Sequence, residues 1–132
     1  MIVDTSAVVA VVVREPGHER YLEAMLAVDR PKISAATLLE LYVVIDRLGD
    51  AVISRRLEDL LTGLGVETLP LTVEQVAAGR AAYRDFGKGS GHPARLNLGD
   101  CFSYALARVS GEPLLFKGDD FVHTDVVPAV AV

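Results

Sequence analysis

The sequence predicts an α/β fold: a short, mostly parallel central sheet flanked by helices. Three observations carry this expectation. Short apolar runs suited to strands alternate along the chain with longer segments whose apolar residues recur at helical spacing. Glycine, proline and short polar clusters punctuate nearly every change of period. Acidic residues stand directly after two of the apolar runs, at the carboxyl ends where open α/β sheets gather their sites.

Each element follows from local chemistry. Ile2-Val3 is a strand that stops at Asp4, and Thr5 or Ser6 can cap a helix running through Val13. Arg14-Glu15-Pro16-Gly17 breaks the chain before a second helix, His18 to Val28. Pro31 to Ser34 reads as a strand, and a helix runs from Ala36 to Leu48, where Gly49 ends it. Ile53, Leu57, Leu60, Leu61 and Leu64 place a helix over 51–64, closed by Gly65, with Val66 to Leu69 as the next strand. Thr72 caps a helix through Phe86, and the glycine-rich segment 87–93 reads as a flexible loop. A helix from Gly99 to Val109 leads through the turn 110–113 to the strand Leu114 to Phe116. Lys117 to Asp120 is a tight turn, and a last short strand is expected near Val126-Val127.

Composition narrows the chemistry. The 132 residues suit a single domain spanning 1–132 with a real core, and 51% apolar content argues against disorder. The richest apolar run, Ala7 to Val13, falls far short of the ~20 residues of a membrane span. The start, Met1-Ile2-Val3-Asp4, lacks the basic region of a signal peptide, so a cytoplasmic protein without membrane contact is expected. One cysteine, Cys101, excludes a disulfide framework and a multi-cysteine zinc site, and the histidines at 18, 92 and 123 are scattered. Any metal would meet oxygen ligands, which points to Mg²⁺ or Mn²⁺. The net charge of −5 argues weakly against a nucleic-acid partner, because four acids committed to a metal leave 14 facing 13 bases.

Four acidic positions stand out, each with a purely structural explanation beside the functional one. Asp4 could be a helix cap. Glu40 has Ala36, Thr37, Val43 and Val44 as its helical neighbours; none is basic, and an ionised carboxylate in that patch is costly without a cation. Asp100 follows Asn97 by three residues, as in a capping box, and suits the first turn of a helix. Asp119 and Asp120 lie in a turn, where Asp is common. If these acids converge, their repulsion raises their pKa values and a divalent cation relieves it.

These segments, in this order, resemble the PIN-domain family and its VapC toxin branch. The matching stretches are Ile2-Val3-Asp4-Thr5-Ser6-Ala7, Thr37-Leu38-Leu39-Glu40, Leu98-Gly99-Asp100-Cys101-Phe102-Ser103-Tyr104-Ala105-Leu106-Ala107 and Leu114-Leu115-Phe116-Lys117-Gly118-Asp119-Asp120-Phe121. The resemblance spans about residues 2 to 127. It implies a PIN-like three-layer fold and a metal-dependent endoribonuclease with Asp4, Glu40, Asp100 and Asp120 as catalytic and metal-binding carboxylates. Asp120 is favoured over Asp119 because the family motif keeps the acid before Phe; Asp119, Thr5 and Ser6 take supporting places. Mg²⁺, with Mn²⁺ as the alternative, a homodimer, and a small VapB-like antitoxin lying over the active-site groove are further implications.

The chemistry expected is hydrolysis of structured RNA (transfer, ribosomal or messenger), because a divalent ion can activate water, neutralise developing charge and stabilise the leaving oxygen. Arg80, Arg84, Lys88 and Arg95, set against the single acid Asp85, form a basic stretch able to follow a phosphate backbone, and Lys117 is a further phosphate contact. Cys101 and Ser103 make poor nucleophiles, lacking a neighbouring histidine and a nucleophile elbow respectively. Two rival readings are phosphoryl transfer to Asp4, disfavoured by Ser6 where a second Asp is needed, and a non-catalytic PIN-like module acting only with its antitoxin.

Overall fold

A computed structural model describes residues 1–132. The elements are β1 (Ile2–Val3), α1 (Thr5–Val12), α2 (Glu19–Leu26), β2 (Lys32–Ser34), α3 (Ala35–Asp46), α4 (Ala51–Gly63), β3 (Glu67–Leu69), α5 (Val73–Phe86), α6 (Leu98–Ser110) and β4 (Leu114–Leu115). The strands form one parallel sheet in the order β3-β2-β1-β4. The chain therefore winds outward from β1 through β2 to β3, then returns to place β4 on the other side of β1. That reversal opens a crevice at the carboxyl ends of β1 and β4.

Strand alternation divides the core in two. Val3, Ile33 and Leu115 face one side and pack with Val8, Met25, Leu41 and Leu57 of α1 to α4. Ile2, Leu114 and Phe116 face the other and pack with Ala82 of α5 and Tyr104, Leu106 and Ala107 of α6. The result is the expected three-layer arrangement. At the amino end of the strands, Lys32 Nζ donates to Glu112 Oε2 at 2.8 Å; the carboxyl end stays open.

Helix boundaries follow their caps. Thr72 caps α5, as its sequence predicts, accepting from Gln75 N at 3.2 Å. Asp50 caps α4 by accepting from Val52 and Ile53 N–H groups, and Ser34 caps α3. α6 carries the full capping box between Asn97 and Asp100 and ends on Gly111 in the left-handed conformation.

Three local expectations are corrected. The cap of α1 is Asp4 itself, accepting from Ser6 N at 3.0 Å, which frees the hydroxyls of Thr5 and Ser6 for other partners. The strand expected at Val126-Val127 is a single parallel bridge between Leu114 and Pro128. Leu114 N donates to Val127 O and Ala129 N to Leu114 O, both at 2.9 Å, and Pro128 has no N–H with which to extend the ladder. The segment 87–93, read as a flexible loop, is tied down. Lys88 N donates to Leu96 O at 2.8 Å, Leu96 N to Phe86 O at 2.9 Å, and Ser90 Oγ to Gly87 O at 2.7 Å, while Leu96 is fully buried.

Leu115 is fully buried between β1 and the α1–α4 layer, one strand residue before the turn that carries Lys117 to Asp120. Leu115→Ala is expected to lower the unfolding free energy by roughly 2–5 kcal/mol. Urea denaturation checks this: the midpoint should fall while the m-value stays constant.

Candidate active site

β1 ends at Val3, so Asp4 stands at the mouth of the crevice between β1 and β4, where its N–H donates to Leu115 O at 2.9 Å. A cleft of about 440 Å³ opens there, lined by Asp4, Thr5 and Ser6 from the β1–α1 junction, Glu15, Glu40 from α3, Asp100 from α6, and Lys117 after β4. Residues far apart in sequence meet because the ends of β1 and β4, one side of α3 and the first turn of α6 converge on one spot.

Asp4 is 4% exposed and both its oxygens are engaged. Oδ2 accepts from Ser6 N at 3.0 Å and Ser6 Oγ at 2.7 Å. Oδ1 accepts from Ser103 Oγ at 2.5 Å. Because the Ser103 hydrogen goes to the carboxylate, the 3.2 Å contact between Thr37 and Ser103 hydroxyls has Thr37 donating. Ser6 Oγ in turn accepts from Lys117 N at 3.0 Å, stitching the turn after β4 to the acid after β1. Glu40 Oε1 accepts from Thr5 Oγ1 at 2.5 Å. The two hydroxyls that Asp4 frees by capping α1 are thus the ones that orient Asp4 and Glu40.

Asp100 serves two purposes. As the third residue of α6 it accepts from Asn97 N at 3.0 Å through Oδ2. It is also buried, and its pKa is pushed up to about 7. Burial is the largest cause, opposed by the Asn97 N–H and reinforced by repulsion from Asp4, Asp120 and Glu40. Asp4, Asp120 and Glu40 therefore all act on Asp100, and of these Asp120 stands outside the lining of the cleft. Asp120, although solvent-exposed, is also shifted up, by desolvation first and then by Asp4 and Asp119. Asp119 lines a separate 190 Å³ pocket with Arg20, Tyr21 and the carboxyl-terminal residues. Asp120 shares the field of Asp4 and Asp100, whereas Asp119 lines the other pocket.

The basic residues divide. Lys117 lines the cleft, where its ammonium forms an ion pair with Glu15 Oε2. Arg80 and Arg84 line a different, apolar groove of about 500 Å³ between α5 and α6 that contains none of the four acids. Lys88 and Arg95 are exposed on the loop before α6 and line neither. Sequence reasoning missed two polar residues of the site. Ser103 was legible in principle, being a hydroxyl three residues after Asp100 and so on the same helix face. Glu15, in the break after α1, carries no such signal.

The donor set suits a hard divalent cation. The cleft offers carboxylate and hydroxyl oxygens only, and Lys117, the one base lining it, is already paired. No three His, Cys, Asp or Glu side chains enclose an ion by themselves. Mg²⁺ does not need such a cage, because it binds through one or two carboxylates and keeps several waters.

Comparison with known proteins agrees with this geometry. The PIN domain family model matches residues 1–127. The chain is 50% identical over 129 residues to Ribonuclease VapC42 of Mycobacterium tuberculosis, covering 98% of each. This protein belongs to the PIN-domain family, in its VapC branch. Ribonuclease VapC28 of the same organism is 49% identical to this VapC-type chain over 130 residues, again 98% of each. Two solved structures share the fold at 16% identity: a toxin–antitoxin complex from Klebsiella pneumoniae, with a TM-score of 0.70 over 99% of this chain and 98% of that one, and VapC20 of Mycobacterium tuberculosis, described as a sarcin-ricin loop cleaving toxin, with a TM-score of 0.73 over 96% and 95%. No helix is long and apolar enough to cross a membrane.

The raised pKa of Asp100 predicts a pH dependence for the protein held in EDTA. An unfolded Asp titrates near 3.8 and the folded one near 7. Between these values the native state binds more protons, so stability falls as pH rises through that window and levels off above about 7. Melting temperatures at pH 5, 6, 7 and 8 should decline accordingly, and Asp100→Asn should flatten the slope and raise the value at pH 8 by roughly 3–6 °C. A wild-type profile already flat across this range would refute the electrostatic account.

Proposed function

We propose that this VapC-type protein is a metal-dependent endoribonuclease toxin that cleaves structured RNA and is restrained by a cognate VapB-like antitoxin. The observation that carries the proposal is the convergence of Asp4, Glu40 and Asp100 on one cleft, with Asp120 near enough to act on Asp100. Carboxylates gathered in this way repel one another, and a cation relieves the charge. The relatives named as ribonucleases support the reaction class.

Asp4 and Asp100 would hold the Mg²⁺ ion (or Mn²⁺), directly or through water, and Glu40 and Asp120 would complete its surroundings. When bound, the ion supplies charge neutralisation at phosphorus and an activated water. The chain's own residues prepare the site. Ser6 and Ser103 fix both oxygens of Asp4, and Thr5 fixes one oxygen of Glu40. Asp100 is held in the capping box by the Asn97 N–H, and would offer its carboxylate to a bound divalent cation in its deprotonated form. Lys117, exchanging Glu15 for a substrate phosphate, would fix the RNA backbone beside Asp4. Arg80, Arg84, Lys88 and Arg95 are exposed on α5 and the loop before α6, suited to phosphates farther along the strand. Aromatic residues are only 6% of the chain, so recognition would depend on RNA shape and a few unpaired bases. We further propose a homodimer that meets its antitoxin over the acid cleft, in the cytoplasm.

The test is cleavage of structured RNA by purified protein freed of any partner. Mg²⁺ should support cutting and EDTA should stop it. Asp4→Asn and Asp100→Asn should each lower the rate at least about a hundredfold with unchanged circular dichroism. Wild-type rates in both variants would reject the assignment, and a fully inactive wild-type protein that still binds antitoxin would favour a non-catalytic module.

A further inference from the structure

Gly99 occupies the second position of α6, between the cap residue Asn97 and Asp100. Glycine is the wrong choice there on local grounds. The backbone is helical, its φ is not positive, and alanine would strengthen the helix. The residue has a different neighbour to satisfy. A Cβ built on Gly99 would stand 1.8 Å from Glu40 Oε2, 2.7 Å from its Cδ and 3.1 Å from its Oε1. The Glu40 carboxylate lies in the space that a side chain at 99 would fill. On its far side the same carboxylate is held by Thr5 Oγ1 at 2.5 Å. Glu40 reaches the cleft from α3, whose other residues on that stretch of surface, Val43 and Val44, cannot anchor it.

We infer that Gly99 is a positioning residue: its missing side chain is the seat that, together with the Thr5 hydroxyl, holds the Glu40 carboxylate beside Asp100. The role in catalysis rests on the ribonuclease reading given above, but the seat itself does not. The seat explains why α6 tolerates a helix-weakening residue in the turn that carries Asp100. A methyl group at this position overlaps the carboxylate where it stands, so the Glu40 side chain must swing out of the seat to admit one. Displacing Glu40 breaks its bond with Thr5 and moves one negative charge away from Asp100.

A double-mutant cycle in the full-length protein separates the steric seat from ordinary helix propensity. The four proteins are wild type, Gly99→Ala, Glu40→Ala and the double variant, each measured for melting temperature in EDTA and for RNA cleavage with Mg²⁺. With Glu40 truncated, the alanine at 99 meets open space and should raise the melting temperature by about 2–6 °C. With Glu40 present, that gain should be absent or reversed. Gly99→Ala alone should slow cleavage at least about tenfold, and it should add nothing to the loss caused by Glu40→Ala. An equal melting shift in both backgrounds, or wild-type cleavage by Gly99→Ala, overturns the inference. If the melting temperatures couple as stated while none of the four proteins cuts RNA, the seat stands and the ribonuclease reading falls.

Discussion

Uncompensated negative charge at the carboxyl end of a parallel sheet is the constraint around which the molecule is organised. Asp4, Glu40 and Asp120 raise the cost of ionising Asp100, and burial of Asp100 raises it further. The fold tolerates this through hydroxyl donors. Ser6 and Ser103 take both oxygens of Asp4, and Thr5 takes one of Glu40. These hydrogen bonds to charged acceptors are the stronger kind and fix the carboxylates in place, yet they carry no formal positive charge. The negative field remains available to a cation.

The topology decides where that field sits. Had β4 joined the sheet beside β3, its turn would lie far from Asp4. Because the chain returns to the free side of β1, the Lys117 backbone reaches Ser6, and the Asp120 charge reaches Asp4 and Asp100. The network from Thr37 through Ser103 to Asp4 ties α3 and α6 to the same point. Structural and chemical duties are shared by single residues. Asp4 caps α1 while occupying the cleft, and Asp100 closes the capping box of α6 while sensing three other acids. The capping roles of these two residues are borne out, and capping leaves each of them lining the cleft.

Membership in the VapC branch places the cleft among proteins named as ribonucleases, and the acid geometry is consistent with that chemistry. Lys117 is a base inside the cleft whose charge is held by Glu15 rather than by the four acids. The basic side chains of α5 and the following loop lie outside the cleft, so any role they have concerns RNA beyond the reacting phosphate.

By itself the sequence determined the order of elements and the α/β class, and it singled out Asp4, Glu40 and Asp100, which the fold draws to one cleft. Those properties follow from periodicity, capping residues and chemistry carried within a few positions. Glu40 was legible because its helical neighbours are all apolar or uncharged, and the α5 boundary because Thr72 has an unambiguous N–H to cap. Only the tertiary structure decided that Asp119 lines a pocket apart from the acid cleft, that Glu15 pairs with Lys117, and that Arg80 and Arg84 line a separate groove. It also decided that Asp4 rather than Thr5 or Ser6 caps α1, and that the tail ends in one bridge at Pro128 rather than a strand. The reason is physical: these outcomes depend on competition between partners brought together from distances of 35 to 111 residues. A hydroxyl can satisfy a helix end or a carboxylate, and only the assembled neighbours determine which one lowers the free energy more.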